Sequence, residues 1–394
     1  MPRETARRLP WRRPLLVVRL VGLLALTEML RSAFFVGFFP LYAGRHLGLG
    51  ASLVGLVTSV HYLTDALAKS GGGWLAERVR LGAVLAGSGL FGLLAVATLP
   101  HGPLAWMLLV AAVWGALVSP LWPAVLTFIS RDSHRGYEAR GVTLATALIA
   151  PLLGLAMLAT GYLARQRPEE AYRYLLLGAA LLALLALSLA GLKAPAAHQG
   201  REAYDWRRLI RLMPAAFVQT LSTGVLSPVL FLFIARVDLG VPRLAFLIAV
   251  GGGAALLVLA LAGHRADRGE PRRLLVPGLF LAGLGLAGVG VLSLAYGPTW
   301  GVLLVSGLLI GVGYGLFFPG WNGLVVRSLP DADRAAAWGV IMTLEALGFA
   351  VGPALGGFTW DAFGPAGPFV TGGALMALVG GYYLWQLGRS DSAG

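Results

Sequence analysis

Three ionisable residues interrupt the first two long apolar segments of the chain, and their types and spacing could do chemistry. Glu28 and Arg31 lie near the middle of the first segment, and Asp65 lies at the same depth in the second. Residues three apart share one face of a helix. A charged side chain at the centre of a bilayer costs about 2.5–3.5 kcal/mol on insertion scales, so such groups usually mark a proton relay or a substrate pocket. The alternative is an ion pair that only joins helices.

A histidine and a lysine extend this polar face. His61, Asp65 and Lys69 follow one another at intervals of four residues, which places them on one face of a helix. Histidine titrates near neutrality and can pass a proton to a carboxylate; alternatively, His61 only packs between helices. A Lys69–Asp65 pair would hold the carboxylate ionised and weaken its case as the proton carrier.

The composition indicates a membrane protein. Apolar residues make up 57% of the chain, charged residues 12%, and the mean hydropathy is +0.77. The apolar segments are about 20 residues long without alternation, which favours membrane-spanning helices over barrel strands. Cysteine is absent and the six histidines are scattered, so we predict no metal, no cofactor, no catalytic residue and no enzyme activity.

The apolar segments predict an all-α membrane protein of twelve transmembrane helices in two six-helix bundles. A polar stretch, 193–211, separates an N-terminal bundle, 1–192, from a C-terminal bundle, 212–394, as a cytoplasmic linker. The predicted spans are 15–41, 52–76, 81–99, 103–129, 136–163, 171–192, 212–235, 242–263, 274–294, 299–326, 334–359 and 366–387.

Positive charge predicts the orientation. Most of the 31 lysines and arginines fall in the two termini, the linker and the loops after even-numbered spans. Basic loops stay in the cytoplasm, so both termini are expected there, in a multi-pass protein of a bacterial inner membrane. The net charge of +13 reflects this bias and attraction to anionic lipid rather than nucleic-acid binding.

The two halves repeat short motifs in the same order. Duplicated six-span bundles place a substrate between the halves and alternate access by rocking. The repeated pairs, each at nearly the same offset, are Gly73-Trp-Leu-Ala-Glu77-Arg78 with Gly263-His-Arg-Ala-Asp267-Arg268, Pro120-Leu-Trp122 with Pro319-Gly-Trp321, and Pro151-Leu-Leu-Gly154 with Pro353-Ala-Leu-Gly356.

The first of these pairs resembles the cytoplasmic signature of the major facilitator superfamily, and the resemblance extends over the whole chain. Its first copy departs from the pattern, with Glu77 for Asp and Arg80 where glycine is usual. The resemblance implies a conformational latch on the cytoplasmic side, formed by Gly73, Glu77, Arg78, Gly263, Asp267 and Arg268.

A narrower resemblance is to the proton-coupled glycolipid flippases of lipoteichoic acid synthesis. It implies exchange of a diglycosyl-diacylglycerol for protons, with Glu28, Arg31 and Asp65 as coupling residues and His61 as their neighbour. The motifs that carry it are Glu28-Met-Leu-Arg31, His61-Tyr-Leu-Thr-Asp65-Ala66, Ser119-Pro120-Leu-Trp122, Tyr314-Gly315, Pro319-Gly-Trp321-Asn322, Trp338-Gly339-Val340 and Gly352-Pro353-Ala-Leu-Gly356-Gly357.

Residues beside the helix-breaking prolines are candidates for substrate binding. An aromatic face next to a polar site suits a sugar ring, although a tryptophan can also simply pack at a kink. Glu345 is an acidic residue deep in the second half, where the flippase family tends to have an uncharged amide; it is either a second proton site or a partner for Gln219 or Asn322. The predicted substrate-binding set is Arg31, Trp122, Trp321, Asn322 and Glu345.

Polar residues concentrate in the first half and apolar ones in the second, which suits an amphiphilic substrate. We therefore predict a proton-antiporting lipid or glycolipid flippase that works by alternating access. The alternative is a drug or sugar exporter of the same superfamily. The expected partners are the lipid, protons and the membrane, without nucleic acid, and the protein is expected to act as a monomer.

Overall fold

The described part of the chain is helical. The computed structural model describes residues 11–78, 81–134, 149–192, 212–268, 271–328 and 334–391. Within these ranges the only β pairing is an isolated bridge between Trp11 and Ser133. The helices are α1 (Pro14–Ser32), α2 (Phe39–His46), α3 (Ala51–Arg78), α4 (Leu81–Thr98), α5 (Leu104–Val118), α6 (Leu121–Asp132), α7 (Ile149–Gln166), α8 (Pro168–Leu187), α9 (Met213–Leu226), α10 (Leu230–Arg236), α11 (Val241–Arg268), α12 (Arg272–Tyr296), α13 (Trp300–Ser328), α14 (Arg334–Phe363) and α15 (Gly367–Asp391).

The prediction of an all-α membrane protein is confirmed at this level. Eight of the described helices are long and apolar enough to cross a membrane, or nine if α9 and α10, bent by 43° at their junction, form one span. The count of twelve spans stays a prediction. The beginning of the predicted span 136–163 and the predicted linker 193–211 lie outside the described residues.

Prolines divide three of the predicted spans into two pieces. Proline has no backbone N–H, so the carbonyl four residues earlier loses its helical partner. A π-helical segment, Ala33–Phe38, precedes Pro40 and joins α1 to α2. Pro120 separates α5 from α6, and Pro228 separates α9 from α10. Regular α-helix is therefore interrupted within predicted spans 1, 4 and 7.

The chain divides into two compact units. The first contains residues 1–47 and 60–200, and the second contains residues 48–59 and 201–394. In the first unit, α1 and the π-helical segment pack against α7, and α4 packs against α8. In the second unit, α12 packs against α13 and α15, α9 against α14 and α15, and α13 against α11.

A glycine allows α5 to lie directly against α3 in the first unit. A Cβ atom at Gly115 would collide with the backbone carbonyl of His61 and the hydroxyl of Thr64. Small residues permit this kind of approach between membrane helices. The contact brings α5 next to the polar face of α3, so the backbone of α5 can take part in the site there.

Candidate functional site

Arg31 is the centre of a buried polar cluster in the first unit. Its side chain is almost inaccessible, at 4% exposure. It donates from one terminal nitrogen to Glu28 Oε1 at 2.8 Å, from the other to Asp65 Oδ2 at 2.7 Å, and from Nε to His61 Nε2 at 2.9 Å. The structure thus brings together all four residues that the sequence singled out for proton coupling. A planar guanidinium with five donors suits such branched contacts.

The cluster lies where regular helix gives way to the π-helical segment. Glu28 and Arg31 occupy the last turn of α1, directly before Ala33–Phe38. Single π-helical turns frequently occur at functional sites. His61 and Asp65 face them from α3, so the site needs only two helices to assemble its charged groups.

His61 orients Arg31. Its Nε2 accepts the hydrogen bond from Arg31 Nε, and its Nδ1 lies 3.1 Å from the backbone carbonyl of Ala111 on α5. These contacts assign the neutral tautomer with the proton on Nδ1. The ring also stacks on Phe35 with centroids 4.3 Å apart. Both ring nitrogens are therefore occupied in this conformation, which favours a positioning role over proton transfer.

Lys69 pairs with Asp65, which resolves an alternative that the sequence left open. Lys69 Nζ lies 3.5 Å from Asp65 Oδ2, the same oxygen that accepts from Arg31. Glu28 has a different environment, because its Oε1 accepts from Arg31 and from the neutral indole N–H of Trp122 at 2.9 Å. Among the described residues, Asp65 thus contacts two cations and Glu28 contacts one.

Glu28 is the more accessible of the two carboxylates. Its side chain is 14% exposed, against 8% for Asp65. Trp122 reaches it from α6, immediately after the break at Pro120. Tyr62, which the sequence analysis missed, lies under the guanidinium, with Arg31 Cζ 5.1 Å from its ring centroid. Its position next to His61 in the chain carries no helical periodicity that would have singled it out.

A second polar cluster lies in the second unit. Glu345 Oε1 on α14 accepts from Gln219 Nε2 on α9 at 2.6 Å and from Trp321 Nε1 on α13 at 3.2 Å. Of the two partners considered from the sequence, Gln219 makes the contact. The neighbouring Asn322 is exposed. Glu345 and Trp321 therefore meet as the sequence grouped them, and their binding of substrate stays a prediction.

The predicted latch motifs lie within helices. α3 continues to Arg78 and α11 continues to Arg268, so both motifs occupy the last turns of their helices rather than separate turns. The side chains of Glu77, Arg78, Asp267 and Arg268 and the surroundings of Gly73 and Gly263 lie outside the described part of the chain. The latch stays a prediction.

Comparisons with known proteins agree with the predicted resemblance. The family model of the Major Facilitator Superfamily matches residues 212–393. The proton-coupled antiporter flippase LtaA of Staphylococcus aureus (strain USA300) is 24% identical over 356 residues, which cover 85% of this chain and 85% of that protein. The resemblance inferred from the motifs is thereby confirmed.

Solved transporters share the fold. A bacterial homologue of the human lysosomal transporter Spinster, inward-facing and unoccupied, superposes with a TM-score of 0.75 at 14% identity, covering 96% of this chain and 97% of that one. The nucleoside transporter NupG superposes with a TM-score of 0.68 at 15% identity, covering 94% and 99%. At these identities the likeness shows the fold and does not identify a substrate.

Proposed function

We propose that this chain is a membrane transporter with the fold of the major facilitator superfamily, and that it moves an amphiphilic lipid or glycolipid between membrane leaflets in exchange for protons. The observation that carries the proposal is the Arg31 cluster, in which one buried guanidinium holds two carboxylates. The name of LtaA, a proton-coupled antiporter flippase, supports the same assignment.

The surroundings of Glu28 suit the exchange of a proton for a lipid headgroup. An ionised carboxylate accepts hydrogen bonds from the hydroxyls of a sugar headgroup on both oxygens, and a proton on the same group turns one of these oxygens into a donor and weakens the group as an acceptor. Glu28 is the more accessible carboxylate, and its Trp122 partner offers an aromatic surface beside it. A proton and a headgroup therefore compete for Glu28, and antiport requires such mutually exclusive occupancy.

The topology that we propose has twelve spans, with both termini on the cytoplasmic side of a bacterial inner membrane. The distribution of lysine and arginine supports this orientation. Alternating access would then proceed by movement of the two halves, 1–192 and 212–394, joined by 193–211. We propose that one copy of the chain is sufficient for transport.

An amphiphile suits the unequal polarity of the two units. The first unit contains the charged cluster around Arg31, whereas α11–α15 are rich in leucine, phenylalanine and glycine. Each methylene transferred from water to an apolar surface gains about 0.8 kcal/mol. The headgroup would bind to the first unit and the acyl chains to the second. The binding free energy of the whole lipid would then be more favourable than that of the headgroup or of the chains alone.

The test is leaflet movement in proteoliposomes. A fluorescent diacyl glycolipid is reconstituted with the protein, a pH gradient is imposed, and the accessible label is measured against time. We expect gradient-dependent movement that Glu28→Gln and Asp65→Asn abolish while the protein remains folded, since each change removes a titrating group and little volume. If both variants keep full gradient-dependent movement, the coupling assignment is wrong.

The alternative function is export of a drug or sugar. NupG, a nucleoside transporter, shares the fold, so the fold alone does not select a lipid. The same proteoliposomes distinguish the two, because a water-soluble sugar or drug can be trapped inside them and its release followed. Transport of the soluble compound without lipid movement above empty liposomes would overturn the flippase proposal and leave the fold assignment intact.

A further inference from the structure

Each unit places a tryptophan indole against a glutamate, and we propose that the second of these glutamates, Glu345, is a second proton-exchanging carboxyl of the transporter. Trp122 donates to Glu28 at 2.9 Å and Trp321 donates to Glu345 at 3.2 Å. The proposal rests on the proposed function for its role in coupling. Proton binding itself is measurable without any transport.

The two tryptophans occupy corresponding positions in the two halves, but the two glutamates lie on helices that do not correspond. Both indoles follow a proline by two residues, in Pro120-Leu-Trp122 and Pro319-Gly-Trp321. Glu28 lies on α1, the first helix of its half, three residues before Arg31. In the second half, the first helix α9 supplies the neutral Gln219, and the acid comes instead from α14. The second site therefore keeps the indole and the carboxyl and replaces the arginine by an amide.

This replacement changes the electrostatics of the carboxyl. A neighbouring cation favours the charged form of a carboxyl, and burial disfavours it. Glu28 and Asp65 both have Arg31 as their cation. Glu345 is half-buried, and among the described residues its polar contacts are the two neutral donors, Gln219 and Trp321. Within the described part of the chain, Glu345 has no counterpart of the Arg31 guanidinium that contacts the first two acids.

The described side chains of the surrounding helices contribute little charge. Residues 51–59 of α3 and all of α9 contain no ionisable side chain. Asp361, on the same helix as Glu345, is about 24 Å away along the axis and accepts hydrogen bonds from Ser52. The described titratable groups of the other helices packed against α14 are Tyr314 on α13 and Tyr382 and Tyr383 on α15, and tyrosine hydroxyls ordinarily titrate near pH 10. The side chains of Arg327, Arg334, Arg389 and Asp391 lie outside the described part.

The two carboxylate oxygens of Glu345 differ in their hydrogen bonds. Both donors converge on Oε1, and no described residue bonds Oε2. A proton taken up from water adds to Oε2 and converts the carboxylate to a neutral carboxylic acid, while Oε1 keeps its two hydrogen bonds. The cluster can thus gain or lose a proton without breaking its contacts to α9 and α13.

The test is infrared difference spectroscopy on the purified full-length protein in detergent, recorded between acidic and alkaline pH. A protonated carboxyl has its own carbonyl-stretch band. Glu345→Gln should remove one such band and leave the helix content unchanged, because the amide oxygen still accepts from Gln219 and Trp321. Glu169→Gln changes an exposed glutamate on α8 and is the matched control; it should leave the Glu345 band in place.

Trp321→Phe tests the proposal through the pH at which the Glu345 band titrates, which a merely structural role of Glu345 would not affect. It removes one donor to the ionised form, so the band assigned to Glu345 should titrate at higher pH than in the unmodified protein. The proposal is overturned if Glu345→Gln keeps every carboxyl band that the unmodified protein shows at any pH of the titration.

Coupling is measured separately, as protons moved per fluorescent glycolipid in proteoliposomes. Glu345→Gln should lower that ratio while Asp65→Asn abolishes coupled movement. If the band is lost but no lipid moves in the unmodified protein, the proton site stands and the flippase proposal fails. If lipid moves with protons but the band persists in the variant, the second proton site fails and the flippase proposal stands.

Discussion

Arg31 holds the first cluster together because its guanidinium donates in three directions at once. Glu28, Asp65 and His61 each accept one of its hydrogen bonds at 2.7–2.9 Å. Glu28 and Arg31 belong to α1, and the other two acceptors belong to α3. Removing the guanidinium therefore leaves two carboxylates near each other without their shared cation and breaks the polar connection between the two helices.

Arg31→Ala should destabilise the protein strongly. Breaking a buried ion pair by removing one partner costs about 3–5 kcal/mol, and here one substitution breaks two pairs. Arg31→Lys should recover only part of the loss, because an ammonium cannot reproduce the planar fork. Thermal unfolding in detergent measures both variants, with Arg45→Ala, an exposed arginine at the end of α2, as the control. An unfolding temperature of Arg31→Ala equal to that of the control would contradict the central role of Arg31.

Lys69 should set the pH range of transport through its contact with Asp65. Its Nζ lies 3.5 Å from the Asp65 oxygen that Arg31 also uses. Lys69→Met removes one of the two described cations that contact Asp65, and loss of a neighbouring cation disfavours the ionised form of a carboxyl. The pH at which glycolipid movement is half-maximal should rise, and Lys69→Arg should keep it near the original value. An unchanged pH profile in Lys69→Met would mean that Asp65 does not limit the cycle.

At the scale of the helices, the site depends on how closely α5 approaches α3. Gly115 faces the carbonyl of His61 without room for a Cβ atom. The same approach places the carbonyl of Ala111, one helical turn earlier on α5, against His61 Nδ1. Backbone packing therefore selects the tautomer of His61, and the tautomer in turn leaves Nε2 as the acceptor for Arg31.

Gly115→Ala should disturb both the packing and the site. Overpacking a close contact typically costs about 1–3 kcal/mol, and the atoms in the way belong to the backbone of α3. Gly154→Ala on α7 is the matched control, because a Cβ there meets no atom within 4 Å. Thermal unfolding and gradient-dependent glycolipid movement should both fall in Gly115→Ala and stay unchanged in Gly154→Ala. Equal effects of the two variants would rule out a specific role for this contact.

Much of the fold and of the site can be predicted from the sequence. The features that cannot be predicted depend on tertiary contacts. Apolar segments in lipid must form helices, and charge is so costly there that Glu28, Arg31 and Asp65 stand out by scarcity. The sequence analysis treated Pro120 and Pro319 alike as helix-breaking. Pro120 does separate α5 from α6, whereas Pro319 was wrongly predicted, because it lies within a continuous helix, as Pro353 does. The interruptions at Pro40 and Pro228 were not predicted. Whether a proline breaks a helix depends on neighbours that satisfy the freed carbonyl. The partners of Lys69 and Gln219 likewise depend on tertiary contacts, because these contacts decide which conformation a long side chain adopts.

At the scale of the whole molecule, the orientation can be tested with single cysteines, since the chain contains none. His134, after α6, and Gln166, at the end of α7, are both exposed, whereas Ser133 is buried at 3% and would label poorly. His134→Cys should react with an impermeant reagent only from the cytoplasmic side, and Gln166→Cys only from the outside. Labelling of both from one side would overturn the proposed span count or orientation.

The last prediction concerns the apolar surface of the second unit. Phe317 is 2% exposed and belongs to the core around Trp321, whereas Phe318 is 47% exposed. An acidic residue at 317 would disrupt the unit, so Phe318 is the position to test.

Phe318→Asp places a charge on a surface that we expect to contact acyl chains. It should reduce movement of a diacyl glycolipid far more than binding of the free disaccharide headgroup, because only the lipid loses apolar contacts worth about 0.8 kcal/mol per methylene. Leu308→Asp, at a 42% exposed position on the same helix, controls for the general cost of a charge in the membrane. Equal loss of lipid movement in both variants would mean that the charge impairs insertion rather than acyl-chain contact. Equal loss of sugar binding and lipid movement in Phe318→Asp would place the headgroup, and not the chains, at this surface.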